Sequence, residues 1–330
     1  MQPLPRNWNV CVRARCTIGG RLAREYPCFP AAANHHCRRS MTTPALLEFP
    51  SPFAAAYGVI RLLPEAGRTP AEVLAQVAGG QYDRPFLIDD GDSRSLYFSL
   101  IYVQSVMNLH EPLKLEAAYT REMMGFLLFQ PNPQRILLCG LGGGSLLKFC
   151  HARLPNASCT AVEIDPDVIA FREQFLIPPD GPRLAIVEAD AADYAAQCPE
   201  AQDVILLDAF DRHGFSATTS QRSFYQDLRA VLTANGVLVA NMVGSRDERL
   251  AHINLLRSVF EDNVLIVTDA EDGNFIAVAF RNPHFEPRWR WIKSQAPALE
   301  KRYGLPLVQL ADKFERSRKL GYLDRILATL

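Results

Sequence analysis

Short apolar runs alternate with amphipathic stretches along the chain from about residue 135 onward. Leu146, Phe149 and Cys150 recur at helical spacing after the first run, and Phe224 and Leu228 share one helical face further on. Continuously apolar strands separated by amphipathic helices indicate a parallel sheet that is covered on both faces. The apolar runs that predict its strands lie at residues 135–139, 158–164, 184–189, 203–208 and 236–242.

A closing hairpin is predicted after these strands. The apolar runs 264–268 and 275–280 are separated by a polar stretch that contains Asp272-Gly273. Such a hairpin gives the sheet an antiparallel last strand. The pattern therefore predicts an α/β fold with a mostly parallel sheet.

A different pattern precedes this region. The apolar runs 86–88 and 96–98 flank an Asp-Asp-Gly-Asp turn, which favours a hairpin, and 102–107 predicts a further strand. A helix is expected from about Lys114 to Phe129, because prolines follow it and cannot continue a helix. A small antiparallel β unit thus precedes the parallel sheet.

The chain divides into four parts by these patterns. We expect residues 41–130 to hold the β unit and the linking helix, 131–283 to form the α/β domain, and 284–330 to form a helical extension. Residues 1–40 carry seven arginines, no lysine and one acid, without a sustained period. We expect them to be disordered or to precede the true start at Met41, with an arginine-rich targeting or binding arm as the alternative.

Composition narrows the class of protein. Hydrophobic residues at 48% and charged residues at 22% of 330 are typical of soluble globular proteins. The net charge of −1 gives no general attraction to nucleic acid or to an anionic membrane. No apolar run approaches the roughly 20 residues of a bilayer span, and the N-terminus lacks the apolar stretch typical of a secretory signal. We therefore expect a cytoplasmic protein with neither nucleic acid nor membrane as a partner.

Cysteine spacing argues against a metal site. Four of the eight cysteines share the first 40 residues with His35 and His36, but no Cys-x-x-Cys pair is present and no common zinc spacing fits. We expect no metal cofactor. The other four cysteines are expected to be free thiols of the α/β domain: Cys139, Cys150, Cys159 and Cys198.

A glycine-rich turn, residues 140–145, ends the first strand of the parallel sheet. Ligands of open parallel sheets bind beyond the carboxyl ends of the strands, and glycines there let the backbone approach a ligand. Ser145 stands where the strict dinucleotide fingerprint has its last glycine, so an NAD(P)-dependent oxidoreductase has little support. We expect Gly140, Gly142 and Gly144 to contact a bound nucleoside.

Acidic residues end the next three strands. Glu163 lies 23 residues beyond Gly140, about where an acid can accept both ribose hydroxyls. Asp190 is placed either to accept an adenine amino group or to cap the next helix. Asp208 follows four apolar residues, where burial near another carboxylate would shift its pKa. Asp165 precedes a proline and is expected to be a helix N-cap.

With these motifs the chain resembles the spermidine synthase (polyamine aminopropyltransferase) family over about residues 86–281. Glu163-Ile164-Asp165 followed by Asp208-x-x-Asp211 is the most specific part. The resemblance implies a Rossmann-like fold of the S-adenosylmethionine-dependent methyltransferase type. It also implies a homodimer and aminopropyl transfer from decarboxylated S-adenosylmethionine to a diamine such as putrescine.

The resemblance also implies a role for each site residue. Glu163 would hold the ribose and Asp190 the adenine of the nucleoside. Asp208 would take the proton from the attacking amine, and Asp211 would help to hold the diamine. Tyr119 stands where the family has a substrate-pocket tyrosine before its glycine loop.

Two departures from the family pattern keep other functions open. Gly143 replaces an aspartate that contacts the aminopropyl end of the nucleoside in the family, and Arg212 replaces a proline. An S-adenosylmethionine-dependent methyltransferase of divergent substrate choice is therefore the alternative, followed by a non-enzymatic nucleoside- or polyamine-binding protein. Residues 212–219 are expected to form a loop that covers the site.

Overall fold

A five-stranded antiparallel sheet comes first in the part of the chain that the structure describes, and its strand order follows the chain. The structure is a computed structural model that describes residues 45–53, 57–99, 102–209, 216–268, 273–319 and 322. The strands are β1 (Leu47–Pro50), β2 (Val59–Leu62), β3 (Phe86–Asp89), β4 (Ser93–Ser99) and β5 (Tyr102–Asn108), with helix α1 (Pro70–Ala78) between β2 and β3.

The predicted β3–β4 hairpin is confirmed. Asp90 shapes its turn, because its Oδ1 atom accepts the backbone N–H groups of Asp92 at 2.9 Å and Ser93 at 2.7 Å. The strand predicted at 102–107 is also confirmed, as β5 pairs with β4. The patterns above did not predict β1, β2 or α1.

The linking helix is shorter than predicted. It consists of α2 (Ala118–Met123) and a 3-10 helix at Met124–Leu128, so it begins four residues after Lys114. Arg121 gives the physical reason, because its guanidinium donates to the backbone carbonyls of Leu115 and Glu116. Those carbonyls accept hydrogen bonds from this side chain and not from the backbone N–H groups of a helix.

Within the described ranges the main sheet has seven strands in the order β11-β12-β10-β9-β6-β7-β8. β6 to β10 run parallel, and β12 is antiparallel to its neighbours β10 and β11. The α/β class with an antiparallel last strand is thereby confirmed. Its strands are β6 (Arg135–Cys139), β7 (Ser158–Glu163), β8 (Leu184–Glu188), β9 (Gln202–Leu207), β10 (Leu232–Met242), β11 (Val264–Thr268) and β12 (Phe275–Phe280).

Helices cover both faces of this sheet and bury its apolar strands in two clusters. None of the helices in the described ranges combines the length and apolar character of a membrane span. The helices are α3 (Ser145–Arg153), α4 (Pro166–Ala170), α5 (Ala191–Gln197), α6 (Arg222–Val231), α7 (Arg246–Val259), α8 (Trp289–Tyr303) and α9 (Leu307–Ser317).

The prediction for residues 1–40 falls outside the described residues, and so do the four cysteines and two histidines of that segment. The four cysteines of the α/β domain are free thiols. Three of them are buried and Cys198 is half-buried.

Candidate active site

A cavity of about 1360 Å³ lies beyond the carboxyl ends of strands β6 to β10. The three strand-end acids Glu163, Asp190 and Asp208 all line it, and so does Tyr119 from α2. The cavity therefore collects side chains from four separate elements, as expected where parallel strands end at one edge of a sheet. Strand β5 and the start of α7 complete its wall.

The three glycines predicted to contact a nucleoside differ in their surroundings. Gly140 and Gly142 line the cavity. Gly140 has a φ of +97°, and an added Cβ would lie 2.1 Å from the backbone oxygen of Asp208. Gly144 is the N-cap of α3, and a Cβ there would lie 2.4 Å from Ile177 Cδ1. Gly140 thus permits close packing of two strand ends, and Gly144 permits close packing of a side chain.

Glu163 lies beneath the glycine turn. Its Oε2 atom accepts the backbone N–H of Leu141 at 2.9 Å, and its Oε1 atom accepts that of Asp165 at 3.0 Å. Burial raises the pKa of Glu163, while these two amides oppose the rise. The carboxylate is therefore fixed in orientation and retains acceptor capacity toward the cavity.

Asp190 caps helix α5, as one of its two predicted roles required. Its Oδ1 atom accepts the backbone N–H of Ala192 at 2.7 Å. Its Oδ2 atom accepts a hydrogen bond from the Thr218 hydroxyl at 3.0 Å. Asp165 likewise caps α4 and accepts the N–H of Asp167 at 2.8 Å, which confirms the predicted N-cap.

Asp208 lies at the end of β9, is half-buried and lines the cavity. Burial raises its pKa, and hydrogen bonds from Asn241 and Tyr119 oppose that rise. The Asn241 Nδ2–H donates to Asp208 Oδ1 at 2.9 Å. The carboxylate is thus held by two neutral donors in a site where a proton acceptor of raised pKa can act.

Asn241 is a functional candidate to which the sequence analysis gave no role. It is 2% exposed, lies at the end of β10 and lines the cavity. Its Oδ1 atom is buried and has no hydrogen-bond partner among the described residues. A buried acceptor without a partner is costly, so Asn241 is retained here at an energetic cost, and its Nδ2–H holds the Asp208 carboxylate.

Gly143 faces strand β5. A Cβ at this position would lie 2.7 Å from Ser105 Oγ and 2.9 Å from Phe175 Cε1. An aspartate could not occupy position 143 without displacing Ser105 and Phe175. The absence of an acid from the glycine turn is therefore matched by the packing around it.

Two expectations about the site fall outside the described residues. Asp211 and Arg212 belong to the 210–215 segment that the structure does not describe, so the predicted covering loop is described only from Ser216. Within the described ranges no group of three or more His, Cys, Asp or Glu side chains is arranged to hold a metal ion.

Comparison with known proteins gives the family. The family model of the spermine/spermidine synthase domain matches residues 116–246, which include all three strand-end acids. The polyamine aminopropyltransferase of Chromobacterium violaceum is 35% identical over 232 residues, covering 70% of this chain and 89% of the relative. The chain belongs to the spermine/spermidine synthase family. As a member of this family it is an enzyme, a transferase.

Solved structures share the fold of this chain. Spermidine synthase from Thermotoga maritima superposes with a TM-score of 0.57 at 17% identity, over 75% of this chain and 86% of that one. Human methyltransferase-like protein 13 in complex with SAH gives a TM-score of 0.51 at 25% identity, over 58% of this chain and 94% of that one. The predicted Rossmann-like methyltransferase-type fold is confirmed by these likenesses.

Proposed function

We propose that this protein is a polyamine aminopropyltransferase that moves an aminopropyl group from decarboxylated S-adenosylmethionine to a diamine such as putrescine. The observation that carries the proposal is the Asp208 carboxylate, which shares one cavity with Glu163 and Asp190. Relatives of the same family with 35% and 37% identity are named polyamine aminopropyltransferases.

The two substrates divide the cavity in this proposal. Glu163 accepts the ribose hydroxyls below the glycine turn, and Asp190 lies at the adenine end. The acceptor amine lies at the β9–β10 end, beside Asp208 and Asn241. Tyr119 lines the same cavity and hydrogen-bonds to Asp208, so it lies next to the amine.

The reaction needs an unprotonated amine that is aligned with the aminopropyl carbon. The amine nitrogen forms the new C–N bond as the C–S bond breaks, and the bonding electron pair stays on sulfur. The nitrogen loses one proton, which Asp208 accepts. Since free aliphatic amines have pKa values of about 10, a carboxylate that orients the nitrogen and takes its proton contributes directly to the rate.

The choice of donor nucleoside depends on the glycine turn. Decarboxylated S-adenosylmethionine ends in an ammonium group, and the packing of Ser105 and Phe175 leaves no room for an acid at position 143. The 25% identity to a methyltransferase solved with SAH supports intact S-adenosylmethionine as the alternative donor. The second candidate function is therefore methyl transfer.

The test is product analysis with purified full-length protein and each donor in turn. With decarboxylated S-adenosylmethionine and putrescine, mass spectrometry is expected to detect spermidine and methylthioadenosine in equal amounts. S-adenosylhomocysteine formed from intact S-adenosylmethionine would instead support the methyltransferase. Failure to form methylthioadenosine from decarboxylated S-adenosylmethionine with any of a panel of diamines would contradict the proposed function.

A further inference from the structure

A turn at residues 216–220 forms the wall of the cavity next to Asp190. Ser216 and Thr219 line the cavity, and the Thr218 hydroxyl donates to Asp190 Oδ2 at 3.0 Å. The other oxygen of Asp190 is already bound to the backbone of α5. The turn therefore sets the orientation of the second carboxylate oxygen.

His252 anchors this turn from behind. It lies on α7, is 4% exposed and does not line the cavity. Its Nε2 atom is 3.4 Å from Ser220 Oγ, and its Nδ1 atom is 2.8 Å from the hydroxyl of Tyr225, a fully buried residue on α6. The Ser220 hydroxyl in turn lies 2.8 Å from the backbone oxygen of Ser216.

Counting protons gives the direction of these hydrogen bonds. The Ser220 hydroxyl has one proton, and its shorter contact is to the carbonyl of Ser216, which can only accept. His252 must then donate its Nε2–H to Ser220. Burial lowers the pKa of His252 to about 4, so the imidazole is neutral near pH 7 and its Nδ1 atom accepts the O–H of Tyr225.

We propose that His252 is a positioning residue for nucleoside binding: through Ser220 it holds the 216–220 turn so that Thr218 keeps Asp190 oriented at the cavity. This inference rests on the proposed function, because it takes the cavity next to Asp190 as the nucleoside site. His252 touches neither substrate. It acts through a hydrogen-bond path that runs through the turn to the carboxylate.

The test measures binding of methylthioadenosine, the nucleoside product of the proposed reaction, by calorimetry. Ser220→Ala removes the middle of the path, and Thr218→Val removes its end. Each is expected to weaken affinity about 3- to 10-fold, the usual effect of losing one neutral hydrogen bond. Because both act on one path, the double variant is expected to lose little more affinity than the single variant that loses more.

Two further readouts separate positioning from general destabilisation. At saturating nucleoside the kcat of Ser220→Ala is expected to stay within about twofold of the unsubstituted protein, since the acceptor side is intact. The backbone N–H groups of Thr219 and Ser220 both bond to Ser216. Hydrogen exchange of the amides at positions 219 and 220 is therefore expected to be faster in ligand-free Ser220→Ala than in the unsubstituted protein. His252→Gln, which can still donate near the Nε2 position, is expected to bind more tightly than His252→Leu.

Ser294 provides a matched control for the loss of a hydroxyl. Ser294→Ala on α8 also removes a hydroxyl that donates to a backbone carbonyl, at 2.7 Å, but it lies away from the cavity and should leave affinity unchanged. Unchanged affinity in Ser220→Ala, or fully additive losses in the double variant, would overturn the inference alone. No binding of methylthioadenosine by the unsubstituted protein would instead overturn the proposed function.

Discussion

Asp208 combines a half-buried carboxylate with two neutral hydrogen-bond donors. Burial raises its pKa, while Asn241 and Tyr119 stabilise the ionised form. An acceptor of this kind can remain charged at neutral pH and still be more basic than an exposed aspartate. These are the two properties that proton transfer from an amine requires.

The Asp208→Asn substitution separates catalysis from binding. Asparagine keeps an oxygen that can accept from Asn241, but it cannot take a proton from the amine. We expect kcat to fall about 10²- to 10⁴-fold while the affinity for nucleoside changes little. Steady-state kinetics and calorimetry measure the two quantities, and near-normal turnover would remove the proposed role of Asp208.

The pH dependence of the rate reports on the Asp208 environment. The reaction needs ionised Asp208, so kcat/KM is expected to fall on the acidic side as this group becomes protonated. Asn241→Leu removes a donor that lowers the pKa of Asp208, so the acidic limb should move to higher pH. Tyr119→Phe removes the other donor and should shift the limb in the same direction. A limb that stays in place in both variants would contradict the assignment.

Glu163→Gln tests the ribose end of the cavity. Glutamine has one oxygen in place of two, so its amide nitrogen must face the backbone N–H of either Leu141 or Asp165. The negative charge that would strengthen the hydrogen bonds from the ribose hydroxyls is lost as well. We expect nucleoside affinity to fall about 10- to 100-fold, measured by calorimetry, with a smaller change in kcat at saturation. Equal affinity in both proteins would argue against the ribose contact.

At this scale the sequence predicts the strand-end acids but not their partners. An acid directly after an apolar run is visible in one dimension, which is why Glu163, Asp190 and Asp208 were predicted. Asn241 also ends an apolar run, but its importance comes from its hydrogen bond to Asp208, which lies 33 residues away in sequence. Such pairings depend on strand order, which a local pattern does not contain.

The glycine turn between β6 and α3 packs against a neighbouring strand end and also lines the cavity. Gly140 and Gly142 both have positive φ angles, +97° and +51°, and both line the cavity. Only Gly140 faces the backbone of a neighbouring strand end. The nearest atom to a Cβ at Gly142 is 3.8 Å away, in ordinary van der Waals contact.

These two glycines form a matched pair for a stability measurement. Gly142→Ala is expected to lower the free energy of unfolding by about 1–2 kcal/mol, the cost of a left-handed backbone for an L-residue. Gly140→Ala adds a clash with the backbone oxygen of Asp208 and is expected to cost about 3 kcal/mol or more. Urea denaturation of both variants measures the difference, and similar costs would contradict this account of the turn.

The elements that the sequence predicts are those with a strong period. The apolar strands of the main sheet and the hairpin of β11 and β12 were predicted because each is a nearly unbroken apolar run. β1 and β2 are only four residues long and contain a proline or an arginine, so they give little pattern. The late start of α2 depends on Arg121, a tertiary effect that helix propensity does not report.

At the scale of the whole molecule, one cavity draws on both sheets. β5 contributes Gln104 and Ser105, and the main sheet contributes the acids that end its strands. The fold class follows from sequence because alternating strands and helices have few compatible topologies. The choice of substrate does not follow in the same way, because it depends on side chains such as Ser105 that meet the glycine turn only after folding.

A crystal structure of the protein with methylthioadenosine and putrescine tests the central claim most directly. The account predicts ribose hydroxyls within hydrogen-bond distance of Glu163. It also predicts an amine nitrogen that lies beside the Asp208 carboxylate and faces the sulfur. A nucleoside bound outside this cavity, or an amine bound away from Asp208, would contradict it.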